Sequence, residues 1–198
     1  MLVFWKQRLV LLATPKTGST AIEAALGSLA ALSVMQPAAL KHTDARTWQR
    51  YLRPYLREMA GGDFTALALI REPVDWLGSW YRSRLRDDNL DMHAGTRGLS
   101  FADFAEAYLH DPRHSLADVG SQADFLKGFD DAPCGVDRLF RYEDIGGFVA
   151  YLEDRLDFAI ELPKENVSPE GDRDLPDALR ARLAERMAED YALYDSIA

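Results

Sequence analysis

A short loop near the N-terminus combines residue types that suit the binding of a phosphate or sulfate group. The sequence TPKTGST at 14–20 follows an apolar run and precedes a helix-like pattern. The backbone N–H groups of such a loop can point into one concavity, backed by the positive end of the helix. Gly18 lets the main chain approach a ligand closely, and Lys16 adds a positive charge. Three hydroxyl donors complete the set: Thr17, Ser19 and Thr20.

This loop differs from the Walker A motif of nucleotide-binding ATPases. That motif, G-x-x-x-x-G-K-[ST], places its lysine after the second glycine. In this chain Lys16 precedes Gly18, and the first glycine of the motif is missing. Magnesium-nucleotide binding is therefore not the natural interpretation, and an ordinary strand–helix turn with a surface lysine is the alternative.

A second anion-binding set lies in LIREPVDWLGSWYRSR. Arg71 falls where an apolar strand should stop, and Ser79 falls two turns into the helix that follows. The arginine could hold a second phosphate through a forked pair of hydrogen bonds, with the serine hydroxyl beside it. The alternative is that Arg71 pairs with a core carboxylate and Ser79 is a small packing residue.

The elements that must position these residues follow from the hydrophobic patterns. They predict strands at 8–13, 64–70 and 137–142, and helices at 18–31, 43–58, 74–86, 100–109, 146–157 and 175–195. The apolar N-terminal MLVFWKQRLVLLA, interrupted by Lys6 and Arg8, is expected to be a leading strand segment that enters the core. Thr43 or Asp44 and, later, Asp144 are expected helix caps, while Pro54 would break or kink its helix.

Alternating strands and helices predict an α/β fold of three layers, with a short, mainly parallel central sheet and helices on both faces. Ligands of such sheets bind at the carboxyl ends of the strands. The loops at those ends are 14–20 and 71–73, which places both anion-binding sets at one edge.

Together these segments resemble the sulfotransferase family, whose P-loop-like fold binds 3′-phosphoadenosine-5′-phosphosulfate (PAPS). TPKTGST is similar to the family's 5′-phosphosulfate loop, and 71–79 is similar to its 3′-phosphate motif. RLFRYEDI at 138–145 and LPKENVSP at 162–169 resemble two later segments more loosely. The resemblance implies one sulfotransferase-like domain over 1–198, with PAPS as sulfuryl donor and no metal.

The resemblance also implies residue roles. Lys16 would stabilise the leaving phosphate oxygen, the amides of 17–20 would hold the 5′-phosphate, and Arg71 with Ser79 would hold the 3′-phosphate. His42, in LKHTDARTW, is the candidate general base, a role worth about 100- to 10,000-fold in rate. The alternative is that His42 only caps the helix at 43–58, and other family members use a glutamate as base.

Charge and composition limit the partners. Net charge is −9, but 143–198 contain 15 acidic and 6 basic residues, whereas 1–142 contain 17 of each. The net negative charge argues against nucleic-acid binding, whereas the equal numbers of acidic and basic residues in 1–142 permit a local positive site. No apolar run approaches a membrane span, and the single Cys134 excludes an internal disulfide, so a cytoplasmic location is expected.

The sequence gives weaker evidence about the sulfate acceptor. Four arginines recur at helical spacing before and after Pro54: Arg46, Arg50, Arg53 and Arg57. They would suit an anionic acceptor, for instance an acidic carbohydrate, but solvated helix faces paired with nearby acids are the favoured interpretation. Two rival functions stay open: a small-molecule kinase of the P-loop class, and a non-catalytic nucleotide binder.

Overall fold

The computed structural model describes residues 1–86, 98–111, 115–163 and 175–197. Within these ranges five short strands form one sheet: β1 (Leu2–Phe4), β2 (Leu9–Leu11), β3 (Leu32–Ser33), β4 (Thr65–Ile70) and β5 (Arg138–Arg141). Their order across the sheet is β3-β1-β2-β4-β5. The predicted strands at 8–13, 64–70 and 137–142 correspond to β2, β4 and β5.

The sheet is mixed, which corrects the expectation of a mainly parallel sheet. β4 is parallel to both β2 and β5, whereas β1 is antiparallel to both β2 and β3. The antiparallel half arises because a turn at 5–8 joins β1 directly to β2. A connection this short cannot join parallel strands, which require a long crossover.

Helices account for most of the remaining described chain. They are α1 (Ser19–Leu26), α2 (Ala38–Lys41), α3 (Ala45–Thr47), α4 (Arg53–Ala60), α5 (Pro73–Arg86), α6 (Phe101–Leu109), α7 (Gln122–Leu126), α8 (Ile145–Leu156), α9 (Asp177–Arg186) and α10 (Ala188–Asp195). Short 3₁₀ turns lie at Ser115–Ala117, Phe129–Asp131 and Tyr142–Asp144. No helix in the described ranges has the length and apolarity needed to cross a membrane.

The helical segment around Pro54 is continuous. A π-helical turn, Trp48–Leu52, joins α3 to α4, and Pro54 falls in the first turn of α4, where a missing N–H costs little. The segment begins at Asp44, whose carboxylate accepts a hydrogen bond from the Thr47 amide at 2.7 Å. Asp144 caps α8 in the same way, through the Gly147 amide at 3.1 Å. Both caps were predicted.

Helices pack on both faces of the sheet because successive strand residues point to opposite sides. On one face Leu11 of β2 lies in a cluster with Ile22 of α1 and Phe148 of α8. On the other face Val10 lies in a cluster with Trp48 and with the α7 residue Leu126. The described chain is therefore an α/β structure with a five-stranded mixed sheet between helices.

The predicted terminal helix at 175–195 is in fact two helices. Helix α9 ends at Arg186 and α10 starts at Ala188, with the fully buried Met187 between them. The break lets Leu183 pack with α5 and α6, while Leu193 packs with the cluster on the sheet. The predicted late loop at 162–169 and the loop at 87–98 lie largely outside the described residues.

Two glycines test the packing of the loops beside the sheet. A Cβ on Gly135 would lie 2.6 Å from Gly128 Cα and 2.9 Å from Ala45 Cβ. We expect Gly135→Ala to destabilise the fold by about 1–3 kcal/mol through overpacking. Gly146→Ala is the control, because its Cβ would meet nothing within 4 Å and helical alanine is worth about 0.5–1 kcal/mol over glycine. Urea unfolding followed by circular dichroism measures both, and a Gly135→Ala variant as stable as the wild type would contradict this packing.

Candidate functional site

The two predicted anion-binding segments meet at one edge of the sheet. Each follows one of two parallel neighbours, the first after β2 and the second after β4. Arg71 Nη1 donates to the carbonyl oxygen of Lys16 at 3.3 Å, and Trp76 Nε1 donates to that of Pro15 at 3.0 Å. The chain therefore brings together residues 55 and 61 positions apart in sequence.

The loop before α1 has an unusual backbone. Lys16 and Gly18 both have positive φ, 66° and 75°, and between them Thr17 Oγ1 donates to the Thr14 carbonyl at 2.9 Å. A Cβ on Gly18 would lie 3.1 Å from the ring of Tyr142. Glycine is therefore required at position 18 both by conformation and by close approach. The Thr17 hydroxyl, predicted as a ligand donor, instead holds the loop together.

The start of α1 is open to an anion. Its N-cap is Gly18, which has no side chain to accept from the first helical amides, and those amides have no acceptor within the helix. Thr14 Oγ1 is buried, and it has no hydrogen-bond partner among the described residues. A buried hydroxyl of this kind costs about 1–3 kcal/mol when unpaired.

Lys16 lies against α5. Its Nζ donates to Ser83 Oγ at 2.5 Å and sits 4.5 Å from the centroid of the Trp80 ring. Both contacts hold the ammonium group at the carboxyl edge of the sheet. Lys16 is half-buried. The alternative of an ordinary strand–helix turn would instead require a fully solvated surface lysine.

Arg71 is held by three different groups. Its Nε and Nη2 lie 2.6 and 2.5 Å from Asp75 Oδ2, and its guanidinium carbon lies 4.5 Å from the centroid of the Tyr142 ring. The third group is the Lys16 carbonyl. The alternative raised from the sequence, an ion pair with a carboxylate, is therefore present, although the Asp75 side chain is 22% exposed and so is not a core group.

Ser79 lies between these two cations. Asp75, Ser79 and Ser83 follow one another at four-residue spacing along α5, so they share one stripe of the helix. Arg71 binds the first residue of this stripe and Lys16 binds the last. Ser79 itself is 6% exposed, which the packing alternative also explains.

His42 lies beside the start of the same loop. Its Nδ1 is 2.6 Å from the carbonyl oxygen of Ala13, which can only accept, so Nδ1 carries the proton and Nε2 keeps a lone pair. Burial lowers the pKa of His42, the backbone hydrogen bond opposes that shift, and the nearby Lys41 charge adds to it. His42 does not cap the helix that follows, because Asp44 does so.

A buried ion pair links the His42 segment to α1. Lys41 Nζ lies 2.7 Å from Glu23 Oε2, and Glu23 is 3% exposed. The Met1 amino group lies 3.8 Å from the other oxygen of Glu23. Lys41 also donates to Thr20 Oγ1 at 3.4 Å, so Thr20, an expected ligand donor, faces the His42 segment. Ser19 is the first residue of α1 and is half-buried.

Two residues of the site were not singled out from the sequence. Tyr142 belongs to RLFRYEDI, where the motif was noted but the ring's contact with Arg71 and Gly18 was not. Gln122 is fully buried and bonds through its side-chain amide to the backbone N–H and carbonyl of Arg71, at 2.9 and 2.8 Å. The sequence signal for Gln122 is weak, because it is only one of two polar residues in the stretch QADFL at 122–126.

The predicted arginine stripe is partly paired. Arg53 binds Asp63 at 2.8 Å, and Arg46 lies 4.0 Å from Asp131. Arg50 lies over the ring of the exposed Tyr51, with its guanidinium carbon 5.2 Å from the centroid. The local-pairing interpretation thus applies to two of the four arginines. No described group of three or more histidine, cysteine, aspartate or glutamate side chains is arranged to hold a metal ion.

The protonation state of His42 can be measured directly. We expect its pKa to lie below the ordinary value of about 6.5, so that the ring is neutral at pH 7. Between the folded-state pKa and about 6.5 the unfolded chain binds more protons, so stability should rise with pH through this window. Nitrogen-detected NMR of the imidazole rings measures the pKa, and His42→Gln assigns the signal and should flatten that part of the stability curve. Titration of His42 at or above 6.5 would contradict the prediction that burial dominates the pKa of this group.

No protein-family model, curated protein or solved structure matches the chain. Its function must therefore be inferred from its own residues. In the described chain these residues are two cations on adjacent loops, an uncapped helix N-terminus and a histidine with a free ring nitrogen.

Proposed function

We propose that the chain is a PAPS-dependent sulfotransferase with a three-layer, P-loop-like fold. The observation that carries this proposal is the convergence of Lys16 and Arg71 on two neighbouring loops at the carboxyl edge of the sheet. Ser79 lies between them on α5, and His42 lies beside the first loop. A donor with two phosphate groups, one on each side of a ribose, matches two separate cationic anchors.

The PAPS donor would be held mainly by backbone amide groups and by cationic side chains. The amides at 17–20 and the positive end of α1 would bind the 5′-phosphate, since Gly18 leaves that helix end uncapped. Arg71 and Ser79 would bind the 3′-phosphate, and this contact would separate PAPS from ATP. Arg71 is well suited because a guanidinium presents several N–H donors in one plane, and Asp75 and the Lys16 carbonyl do not use all of them.

PAPS supplies a sulfuryl group on a phosphate leaving group. In the transfer the bond from sulfur to the phosphate oxygen breaks, a bond from sulfur to the acceptor oxygen or nitrogen forms, and the acceptor loses a proton. Lys16 would stabilise the charge that develops on the leaving phosphate oxygen. His42 would take the proton at Nε2, the nitrogen left free by the hydrogen bond from Nδ1 to Ala13.

The acceptor is proposed to be a carbohydrate or another anionic molecule. The helical segment from Ala45 to Ala60 begins three residues after His42 and is continuous through Pro54. It exposes Arg50 beside Tyr51, and Tyr55 one turn further on is 61% exposed. Exposed aromatic rings beside guanidinium groups suit the stacking of sugar rings that carry negative charge.

The two rival functions are distinguished by particular residues. A P-loop kinase needs a lysine after the glycine of the loop, whereas Lys16 precedes Gly18. A non-catalytic binder needs the donor contacts alone and has no use for a neutral histidine beside the loop. The orientation of His42 towards Ala13 therefore favours an enzyme.

The first test is calorimetric titration with 3′,5′-ADP, the desulfated donor product. We expect the wild type to bind it, and Arg71→Ala to weaken binding by about 10- to 150-fold, since a hydrogen bond to a charged group contributes about 1.5–3 kcal/mol. Arg57→Ala, an exposed arginine on α4, is the matched control and should bind as the wild type does.

Two results of this titration would overturn the proposal. One is an absence of 3′,5′-ADP binding by wild-type protein whose circular dichroism shows it to be folded. The other is tighter binding of magnesium-ATP, which would promote the kinase.

A second test separates transfer from binding at Lys16. We expect Lys16→Ala to lower turnover of radiolabelled PAPS by about 100-fold or more, as for other groups that stabilise a developing oxyanion. Its affinity for 3′,5′-ADP should fall much less, because the loop amides and Arg71 remain. The assay uses a panel of acidic oligosaccharides and neutral alcohols as acceptors. Equal losses of affinity and turnover would show that Lys16 binds the donor and has no special role in transfer.

A further inference from the structure

The buried amide of Gln122 has a place in the site that its sequence context did not indicate. We propose that Gln122, supported by Asp190, is a positioning residue for Arg71 and so for the 3′-phosphate contact. This inference rests on the proposed function of Arg71. Gln122 would not touch the donor, and it would act only through the backbone of the arginine.

Arg71 lies just beyond the end of the sheet. Pairing of β4 with β5 ends at Ile70 and Arg141, and pairing of β4 with β2 ends at Leu67. A backbone at this point lacks a neighbouring strand, yet its N–H and carbonyl need partners when buried. Gln122 provides both, because Oε1 accepts from the Arg71 N–H at 2.9 Å and Nε2 donates to the Arg71 carbonyl at 2.8 Å. The side-chain amide thus replaces a missing strand residue.

Gln122 is itself fixed by a buried carboxylate. Asp190 of α10 is 2% exposed, and its Oδ1 accepts from the backbone N–H groups of Gln122 and Ala123 at 2.7 and 3.1 Å. The next amide, on Asp124, is satisfied by the Ser121 hydroxyl at 3.0 Å. The first turn of α7 is therefore held by two side chains, and the α10 helix sets its position relative to β4.

The position of Arg71 matters for three other contacts. Its guanidinium group binds Asp75, the Lys16 carbonyl and the Tyr142 ring from a single backbone position. A change in the backbone direction at Arg71 would move the guanidinium away from all three together. The amide pair of Gln122 is the contact that fixes this direction beyond the last sheet pairing.

Another glutamine, Gln49, also bonds one backbone N–H and one backbone carbonyl through its side-chain amide, although these groups belong to two different residues. Gln49 Nε2 donates to the Gly135 carbonyl at 2.9 Å, and its Oε1 accepts from the Phe129 N–H at 2.6 Å. Its two partners, Phe129 and Gly135, follow α7 in the chain, and neither of them is Arg71. Gln49 therefore serves as a matched control for the loss of one bridging amide.

The experiment compares Gln122→Met with Gln49→Met in the full chain. Methionine keeps the approximate shape of glutamine and removes both hydrogen bonds. We expect Gln122→Met to weaken 3′,5′-ADP binding about tenfold by calorimetry, and Gln49→Met to leave it within twofold. In the Arg71→Ala background the additional effect of Gln122→Met should disappear, because the residue acts through Arg71. If Gln122 were merely structural, Gln122→Met would lower the stability of the fold, and the coupling between positions 122 and 71 in 3′,5′-ADP binding would be zero.

A measurement without any ligand keeps the inference separate from the proposed function. We expect the Arg71 Nε–H, observed by nitrogen-15 NMR, to exchange with water at least tenfold faster in Gln122→Met than in the wild type or in Gln49→Met. Asp190→Asn, which keeps the shape of the carboxylate, should change the same signal in the same direction by less. It takes the place of Gln122→Met if that variant does not fold.

The possible outcomes distinguish the positioning role of Gln122 from the proposed function. An unchanged Arg71 Nε–H signal in Gln122→Met and Asp190→Asn overturns the positioning role, whatever the calorimetry gives. Equal effects of Gln49→Met and Gln122→Met on Arg71 also overturn it. If the wild type binds no 3′,5′-ADP but the Arg71 signal responds as expected, the sulfotransferase proposal fails and the positioning of Arg71 by Gln122 stands.

Discussion

The parallel pairing of β2 with β4 is the constraint on which the candidate site depends. Leu9, Val10 and Leu11 pair with Thr65, Ala66 and Leu67 in one register, so both strands finish at the same edge of the sheet. The loops that follow must therefore approach each other, and the contacts from Arg71 and Trp76 to the first loop result. Because every side chain of these strands is buried or nearly so, a shift by one residue would move each apolar side chain from one core to the other and disrupt the packing of both.

Buried polar groups gather at this edge, while the strands themselves are apolar. Thr14, Glu23, Gln122 and Asp190 are all nearly inaccessible to water. Burying such polar groups costs free energy, and this cost is offset only when their hydrogen-bonding partners are fixed in place. The pair Lys41–Glu23 ties α1 to the segment that carries His42. Asp190 ties α10 to α7, and the side chain of Gln122 on α7 bonds the backbone of Arg71. Buried contacts therefore hold the segments on both sides of the loop at 14–18.

The sequence was sufficient for those features that depend on local pattern. The strands at 64–70 and 137–142, the caps at Asp44 and Asp144, and the placement of Arg71 at a strand end all follow from hydrophobic period or capping chemistry. The pairing of β1 with β3, the break at Met187 and the amide bridge of Gln122 depend on distant partners. Gln122 contacts a backbone 51 residues away, and no residue type or spacing in QADFL encodes that contact. Trp48, the first residue of the π turn before Pro54, is likewise buried against residues distant in sequence.

The ion pair between Arg71 and Asp75 and a role for Arg71 in anion binding are compatible. A guanidinium that is 11% exposed cannot remain without a counter-charge, so a site that awaits an anion needs a carboxylate nearby. Asp75 lies on the stripe of α5 that continues to Ser79, so the proposed 3′-phosphate site would lie next to this ion pair. An anion entering between Arg71 and Ser79 would share the guanidinium with Asp75 rather than replace it, because the planar group offers donors on two edges. In the proposed function, the ion pair with Asp75 would support the arginine in its binding orientation and would not compete with the donor.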